Sequence, residues 1–173
     1  MIIIPAERIS FVIQIRPMQA QDIQSAKRVI YRVAHQVFRD PRPLEESIAD
    51  LEAEGRLRDM ENFQHAYFEN SGIFLVVTDE EQVVGTGAIH KMDIETCELK
   101  RFWLLFEYHG QGLGYRLMQE LLRFARQKGY KRIRLETDRN EQSRAYNFYK
   151  RLGFYDIPRY GDHEDDVAME MRL

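Results

Sequence analysis

The sequence predicts a mixed α/β fold. Apolar spacing along the chain switches repeatedly between a period of two and a period near 3.6, which marks alternating strands and helices. A glycine-rich turn, "HGQGLG" at residues 109–114, joins a strand pattern to a long amphipathic pattern. The 173 residues, 44% hydrophobic and 31% charged, suit one domain with its own core. The predicted order is β-α-α-ββ-β-α-β-α-β-β, without a low-complexity linker or internal repeat. One domain is expected over residues 1–173, with 1–10 as an N-terminal extension.

"SFVIQIRP" (residues 10–17) reads as the first strand, stopped by Pro17. Asp22 is the expected cap of a helix through Phe38, with Ile23, Ala26, Ile30, Val33 and Val37 on one face. "DPRP" ends that helix; Leu44, Ile48 and Leu51 mark a second, and Met60 to Phe68 a short third. Gly72 opens the strand "IFLVVTD", and the polar turn "DEEQ" leads to its hairpin partner "VVGTGAIHKMD". Glu98 to Phe106 reads as the next strand. After the glycine turn a helix is predicted from Gly112 to Lys128, with Leu113, Leu117, Leu121, Phe124 and Ala125 as its buried stripe. Arg126 and Lys128 suit its negative end, and Gly129 suits the position just beyond it. "RIRLETD" is a strand, Ser143 to Leu152 a helix ended by Gly153, and "FYDI" and "VAMEMRL" two final strands.

The composition excludes several classes. A net charge of −3 argues against a general nucleic-acid binder. Cys97 is the only cysteine, and the five histidines form no HExxH-type pair, so neither a disulfide framework nor a metal motif is expected. "MIIIP" is short for a signal peptide, and no apolar run approaches the roughly 20 residues that span a bilayer. A soluble, cytoplasmic protein is the expectation, with no nucleic acid, membrane or metal partner.

The glycine turn carries the chemistry. Glycine weakens helices, yet Gly110, Gly112 and Gly114 stand directly before one. The first turn of a helix offers unpaired N–H groups and a partial positive charge, so a strand–glycine-turn–helix junction favours anions such as phosphate. A tight turn without a ligand is the competing reading. No GxxxxGK[ST] pattern is present, and "GQGLGYR" lacks the third spacing of the dinucleotide fingerprint.

"HGQGLG" resembles the [Q/R]xxGxG/A acyl-CoA loop of the GCN5-related N-acetyltransferases, the GNAT family. "AYNFYKRLGF" (residues 145–154) is similar to the AxxFYxxxGF stretch that closes that family's cofactor site. The two motifs occur in the family's order, and the predicted elements agree with the family fold from about Ile13 to Leu173. The resemblance implies a central, mostly antiparallel sheet with helices on both faces. It also implies acetyl-CoA as co-substrate and acetyl transfer to a primary amine of a small molecule or protein by direct attack. A homodimer is a further possibility it raises. His109 departs from the usual Gln or Arg, at a position whose backbone matters most.

By this resemblance the N–H groups of Gln111, Gly112, Leu113, Gly114 and Tyr115 hold the pyrophosphate, with Gly110 in the turn and Arg116 near the helix start. Pantetheine lies along the strand ending at Phe106, against backbone around Phe102 and Leu104, and the N–H near Leu104 polarises the thioester carbonyl. Ala145 opens the second motif. Asn140 or Gln142 contacts the pantetheine arm. Tyr149 stands where the family places the phenol that protonates the CoA sulfur; a packed aromatic is its alternative, as read for Tyr146 and Phe148. Glu98 is the candidate base, alone or through water, and by period-two spacing shares a face with Lys100, Phe102 and Leu104. Its alternative is a cross-strand charge partner.

Cys97 reads as a strand residue, Trp103 as packing, and His90 as a polar position beside the hairpin. The turn "RYGDHEDDVAM" carries Asp162, Glu164, Asp165 and Asp166, either a rim that attracts an amine or a solvated loop. The competing function on the same fold is a non-catalytic acyl-CoA-binding sensor.

Overall fold

The computed structural model describes residues 12–173. The N-terminal extension, and Ser10 and Phe11 of the expected first strand, lie outside the described residues. Seven strands form one sheet: β1 (Ile13–Pro17), β2 (Ile73–Asp79), β3 (Gln82–Lys91), β4 (Thr96–Leu104), β5 (Arg132–Asp138), β6 (Tyr155–Ile157) and β7 (Asp166–Arg172). Their order is β1-β2-β3-β4-β5-β7-β6. Every neighbouring pair is antiparallel except β4 and β5. The helices are α1 (Ile23–Val37), α2 (Leu44–Ala53), α3 (Arg58–Glu61), α4 (Phe63–Ala66), α5 (Leu113–Gln127) and α6 (Ser143–Leu152).

Strand β3 explains the layering. Its residues Val83–Ile89 are buried in unbroken succession, so both faces of the sheet are covered there. Leu117 and Leu121 of α5 come against Gly87 and Phe102 on one face, and α1 packs on β3 and β4 as well. The predicted stripe of α5 is buried at Leu113, Leu117, Leu121 and Ala125, joined by Met118 and Leu122. Ala26, Ile30 and Val33 do the same for α1. Gly153 ends α6: its N–H bonds Lys150 O, and the Phe154 N–H bonds Tyr149 O.

Four local expectations change. Asp22 does not cap α1 with its side chain. It closes a 3₁₀ turn (Ala20–Asp22), accepting the Gln19 N–H at 2.8 Å and pairing with Arg16 at 2.6 Å. The expected third helix is two short pieces, α3 and α4, followed by a 3₁₀ turn (Phe68–Asn70). Phe106 is not on a strand: β4 stops at Leu104, and Phe106–Tyr108 form a 3₁₀ turn. Finally, β4 does not alternate regularly. Ala88 pairs with Lys100 but Thr86 pairs with Trp103, so Gly87 faces two residues, Arg101 and Phe102. Arg101 is left-handed, with φ 54°, in a bulge position that ordinarily takes glycine. A non-glycine residue in that conformation costs about 1–2 kcal/mol. The extra residue reverses the alternation, so Phe102 and Leu104 lie on the opposite face from Glu98 and Lys100.

Candidate active site

Pairing between β4 and β5 is confined to Thr96–Glu98 against Arg132–Arg134. Beyond Glu98 the two strands part, and β5 remains paired only with β7. The gap is a cavity of about 760 Å³, lined by both strands, the glycine turn and α6. The Leu105 N–H bonds Val84 O at 3.0 Å, across the sheet. Successive N–H groups of a strand point to opposite edges, so the Leu104 N–H and C=O are aimed at the cleft. His109 Nε2 meets that carbonyl at 2.8 Å. Because a carbonyl only accepts, Nε2 carries the proton, and burial holds the imidazole below its usual pKa. This side-chain tie between the turn and the end of β4 had no signal in the sequence, where only the backbone of His109 was expected to matter.

The turn itself has the geometry that suits an anion. Gly110 and Gly112 have φ of 77° and 76°, which an L side chain resists. Gly114 lies inside α5, where fold geometry asks for no glycine, and a Cβ built there meets nothing within 4 Å. Its bare backbone is open to the space outside the chain. The first bond within α5 runs from the Arg116 N–H to Gly112 O. No side chain caps the helix, and no acid occupies its first turn. The N–H groups of Leu113, Gly114 and Tyr115 are thus left without helical partners, at the positive end of the dipole. Arg144, at the start of α6, also lines the cavity.

Most of the expected site residues converge. Glu98, Phe102, Leu104, Phe106, His109, Gly110, Gly112, Leu113, Gly114, Tyr115, Gln142, Ala145 and Tyr149 all line the cavity. Gln111, Arg116 and Asn140 do not. The Gln111 side chain turns back to Glu107 O at 3.2 Å. Asn140 lies in the β5–α6 turn, its N–H taken by Asp138. Gln142 accepts from Thr137 Oγ1 and the Asp138 N–H, which anchors it at the cavity wall.

Tyr149 is buried among Phe102, Phe148 and Phe154. Desolvation alone drives its phenol pKa well above the ordinary value, so the hydroxyl stays protonated at neutral pH. Tyr146 is a structural aromatic, donating to Asp156 at 3.0 Å, and Phe148 stacks on Phe102.

Four carboxylates line the cavity: Glu98, Glu136, Glu141 and Asp166. Glu98 accepts the Tyr160 hydroxyl at 3.1 Å and lies 3.7 Å from Lys100 Nζ. Glu136 accepts the Gly161 N–H at 2.7 Å. Burial, with Glu136 and Asp138 nearby, raises the Asp166 carboxyl pKa. Tyr160 is a contact that sequence reasoning missed, because nothing local announces a tyrosine reaching across 62 positions. Of the acidic turn only Asp166 reaches the cavity; Asp162, Glu164 and Asp165 are exposed on the β6–β7 loop. Trp103 lines the cavity, Cys97 is fully buried in β4, and His90 meets the Tyr67 ring edge-on. Among the described residues there is no cluster able to hold a metal ion, and no helix long and apolar enough to cross a membrane.

The sequence pattern of the acetyltransferase (GNAT) family matches residues 33–154. The chain belongs to the GNAT acetyltransferase family. Among curated GNAT relatives, human N-acetyltransferase 8B is 36% identical over 102 residues, 56% of this chain and 44% of the human protein. The uncharacterized N-acetyltransferase YjgM of Escherichia coli is 30% identical over 117 residues, covering 66% of this chain and 70% of that protein. The chain therefore spans less than half of the human relative and most of the bacterial one. A crystal structure of an acetyltransferase from Streptococcus agalactiae superposes with TM-score 0.75 at 25% identity, covering 93% of this chain and 98% of that one. The paiA N-acetyltransferase of Thermoplasma acidophilum, solved in complex with coenzyme A, gives TM-score 0.75 at 22% identity, covering 93% and 99%. The GNAT fold expected from the two motifs is the fold observed.

Proposed function

We propose that this GNAT chain is an acetyl-CoA-dependent N-acetyltransferase acting on a primary amine of a small molecule or protein, by direct attack with both substrates bound. The observation that carries the reading is the cleft where β4 and β5 part beside the uncapped start of α5. Uncapped N–H groups at the start of α5 and the parted edges of β4 and β5 line it, and Arg144 and the carboxylates Glu98, Glu136, Glu141 and Asp166 line it as well. The open space over Gly114 fits a phosphate approaching the backbone. Acetyl-CoA supplies the activated acyl group as a thioester.

Each residue then has a task. The N–H groups from Gln111 to Tyr115 bind the pyrophosphate, and the unpaired edge of β4 takes pantetheine as a further strand would be taken. The Leu104 N–H polarises the thioester carbonyl as charge develops on its oxygen. Glu98 receives the proton leaving the amine, through a water, since its carboxylate is already engaged by Tyr160. Tyr149 donates its phenolic proton to the departing sulfur. Gln142, at the cavity wall, is the better-placed partner for the pantetheine arm than Asn140. Holding both reactants together supplies on the order of 7–11 kcal/mol of the barrier.

A panel of amines incubated with the chain and acetyl-CoA, read by thiol release, tests this. Amine-dependent release is expected. Binding of acetyl-CoA without turnover on any amine would identify a sensor instead, and preferential binding of ATP or NAD would reject the cofactor assignment.

A further inference from the structure

The left-handed backbone of Arg101 is held from outside its own strand. Arg101 donates to Asp59 of α3 in a bidentate pair, Nη2 to Oδ1 at 2.7 Å and Nε to Oδ2 at 3.1 Å. Nη2 also reaches Arg56 O at 3.2 Å. The Tyr67 hydroxyl donates to Asp59 Oδ2 and fixes the carboxylate from behind. Burial works against the Asp59 charge, but Arg101 and Tyr67 keep the carboxyl below its usual pKa, so the clamp is ionic at neutral pH. On the other side of the bulge Thr86, fully buried, donates Oγ1 to Arg101 O at 2.7 Å. A sparsely populated backbone conformation persists when its surroundings over-determine it, and these contacts do so.

The bulge matters because it orients the last residues of β4. It inserts one residue and so decides which edge the Leu104 N–H faces. Drawn out into a regular strand, the same segment would turn that N–H toward β3. Asp59, Arg56 and Tyr67 do not line the cavity, whereas Arg101 and Phe102–Leu104 do. We propose that Asp59 is a positioning residue for acetyl transfer, which through Arg101 holds the β4 bulge and thereby aims the peptide groups of Phe102–Leu104 into the cleft. This rests on reading the cleft as the acetyl-CoA site. It makes the α3 segment, remote from the reacting atoms, a determinant of cofactor geometry.

The test uses Asp59→Asn and the double variant Asp59→Asn with Arg101→Gly, with acetyl-CoA affinity by calorimetry, kcat and KM on an accepted amine, and melting temperature. Asp59→Asn should lower kcat/KM by on the order of 10²-fold and weaken acetyl-CoA binding. Glycine accepts φ 54° without a clamp, so the double variant should recover most of the affinity even though its melting temperature stays low. With a merely structural ion pair, affinity would follow melting temperature in both variants, because deleting Arg101 only relieves the charge left unpaired; affinity recovered at a still lowered melting temperature marks the positioning role. The double variant carries the test even where Asp59→Asn alone folds poorly. An Asp59→Asn chain that binds and turns over as wild type does, or a folded double variant no better than the single one, overturns the positioning role while leaving the acetyl-CoA reading intact. Wild-type chain that binds no acetyl-CoA overturns both.

Discussion

Tyr149 and Gly114 separate chemistry from architecture. Replacing Tyr149 with Phe keeps the ring among Phe102, Phe148 and Phe154 and removes only the proton donor. Turnover should fall about 10²–10⁴-fold where chemistry is rate-limiting, with acetyl-CoA affinity and melting temperature nearly unchanged. An acid must be protonated to act, so the rate falls as pH rises through its pKa. Burial raises that pKa, which places the alkaline limb of kcat above the usual tyrosine value of about 10. The Phe variant should lack the limb; wild-type turnover in that variant would reduce Tyr149 to packing. At Gly114 the two roles are separable in the opposite sense. A Cβ there meets no protein atom, and alanine favours helix by up to about 1 kcal/mol. Gly114→Ala should therefore melt no lower than wild type, yet bind acetyl-CoA more weakly by about tenfold or more. Calorimetry showing unchanged affinity would remove the turn from the cofactor site. Gly112 cannot be used this way, since its φ of 76° strains any side chain before a ligand arrives.

Among the elements, the β6–β7 loop and β4 show where sequence reasoning reached and where it stopped. Neutralising Asp162, Glu164 and Asp165 together should leave the acceptor KM nearly constant, because these side chains stand outside the cavity. Asp166→Asn should raise the KM of a cationic acceptor. Steady-state kinetics at moderate and high salt will distinguish them: a triple variant with a strongly raised KM would restore the whole loop to the site. The sequence showed four acids close together but not which of them points inward, because loop direction has no periodicity to read. Helices were legible for the converse reason. The stripe of α5 repeats every three or four residues, and Gly129 and Gly153 mark helix ends chemically. Strand β4 failed at one residue. Nothing about Arg101 in isolation announces a left-handed bulge, since the cause lies 42 positions away at Asp59. That slip moved Phe102 and Leu104 to the other face, and separately β4 ends at Leu104, before Phe106. The glycine turn, by contrast, was readable because its requirement is local: backbone that must bend and stay bare.

Across the whole molecule, the sheet is joined unevenly. Strands β1 to β4 form one half and β5, β7 and β6 the other, and between them only Thr96–Glu98 and Arg132–Arg134 are paired. The two motifs that signalled the fold straddle this junction, one after β4 and one on α6, and in the family's order they are far more specific together than either alone. An acyl-CoA chain lying along β4 should slow amide hydrogen exchange at Leu99–Leu104 and leave β1 unaffected. Equal protection across both halves would contradict the proposed pose. Proteins open in local units of low stability, and the central seam of this sheet is only three residue pairs long, as short as the pairing of the edge strand β6 with β7. Cofactor in the cleft then works as a splint as well as a reactant. The loaded chain should unfold as one cooperative body, and the unloaded chain should yield first along its own midline.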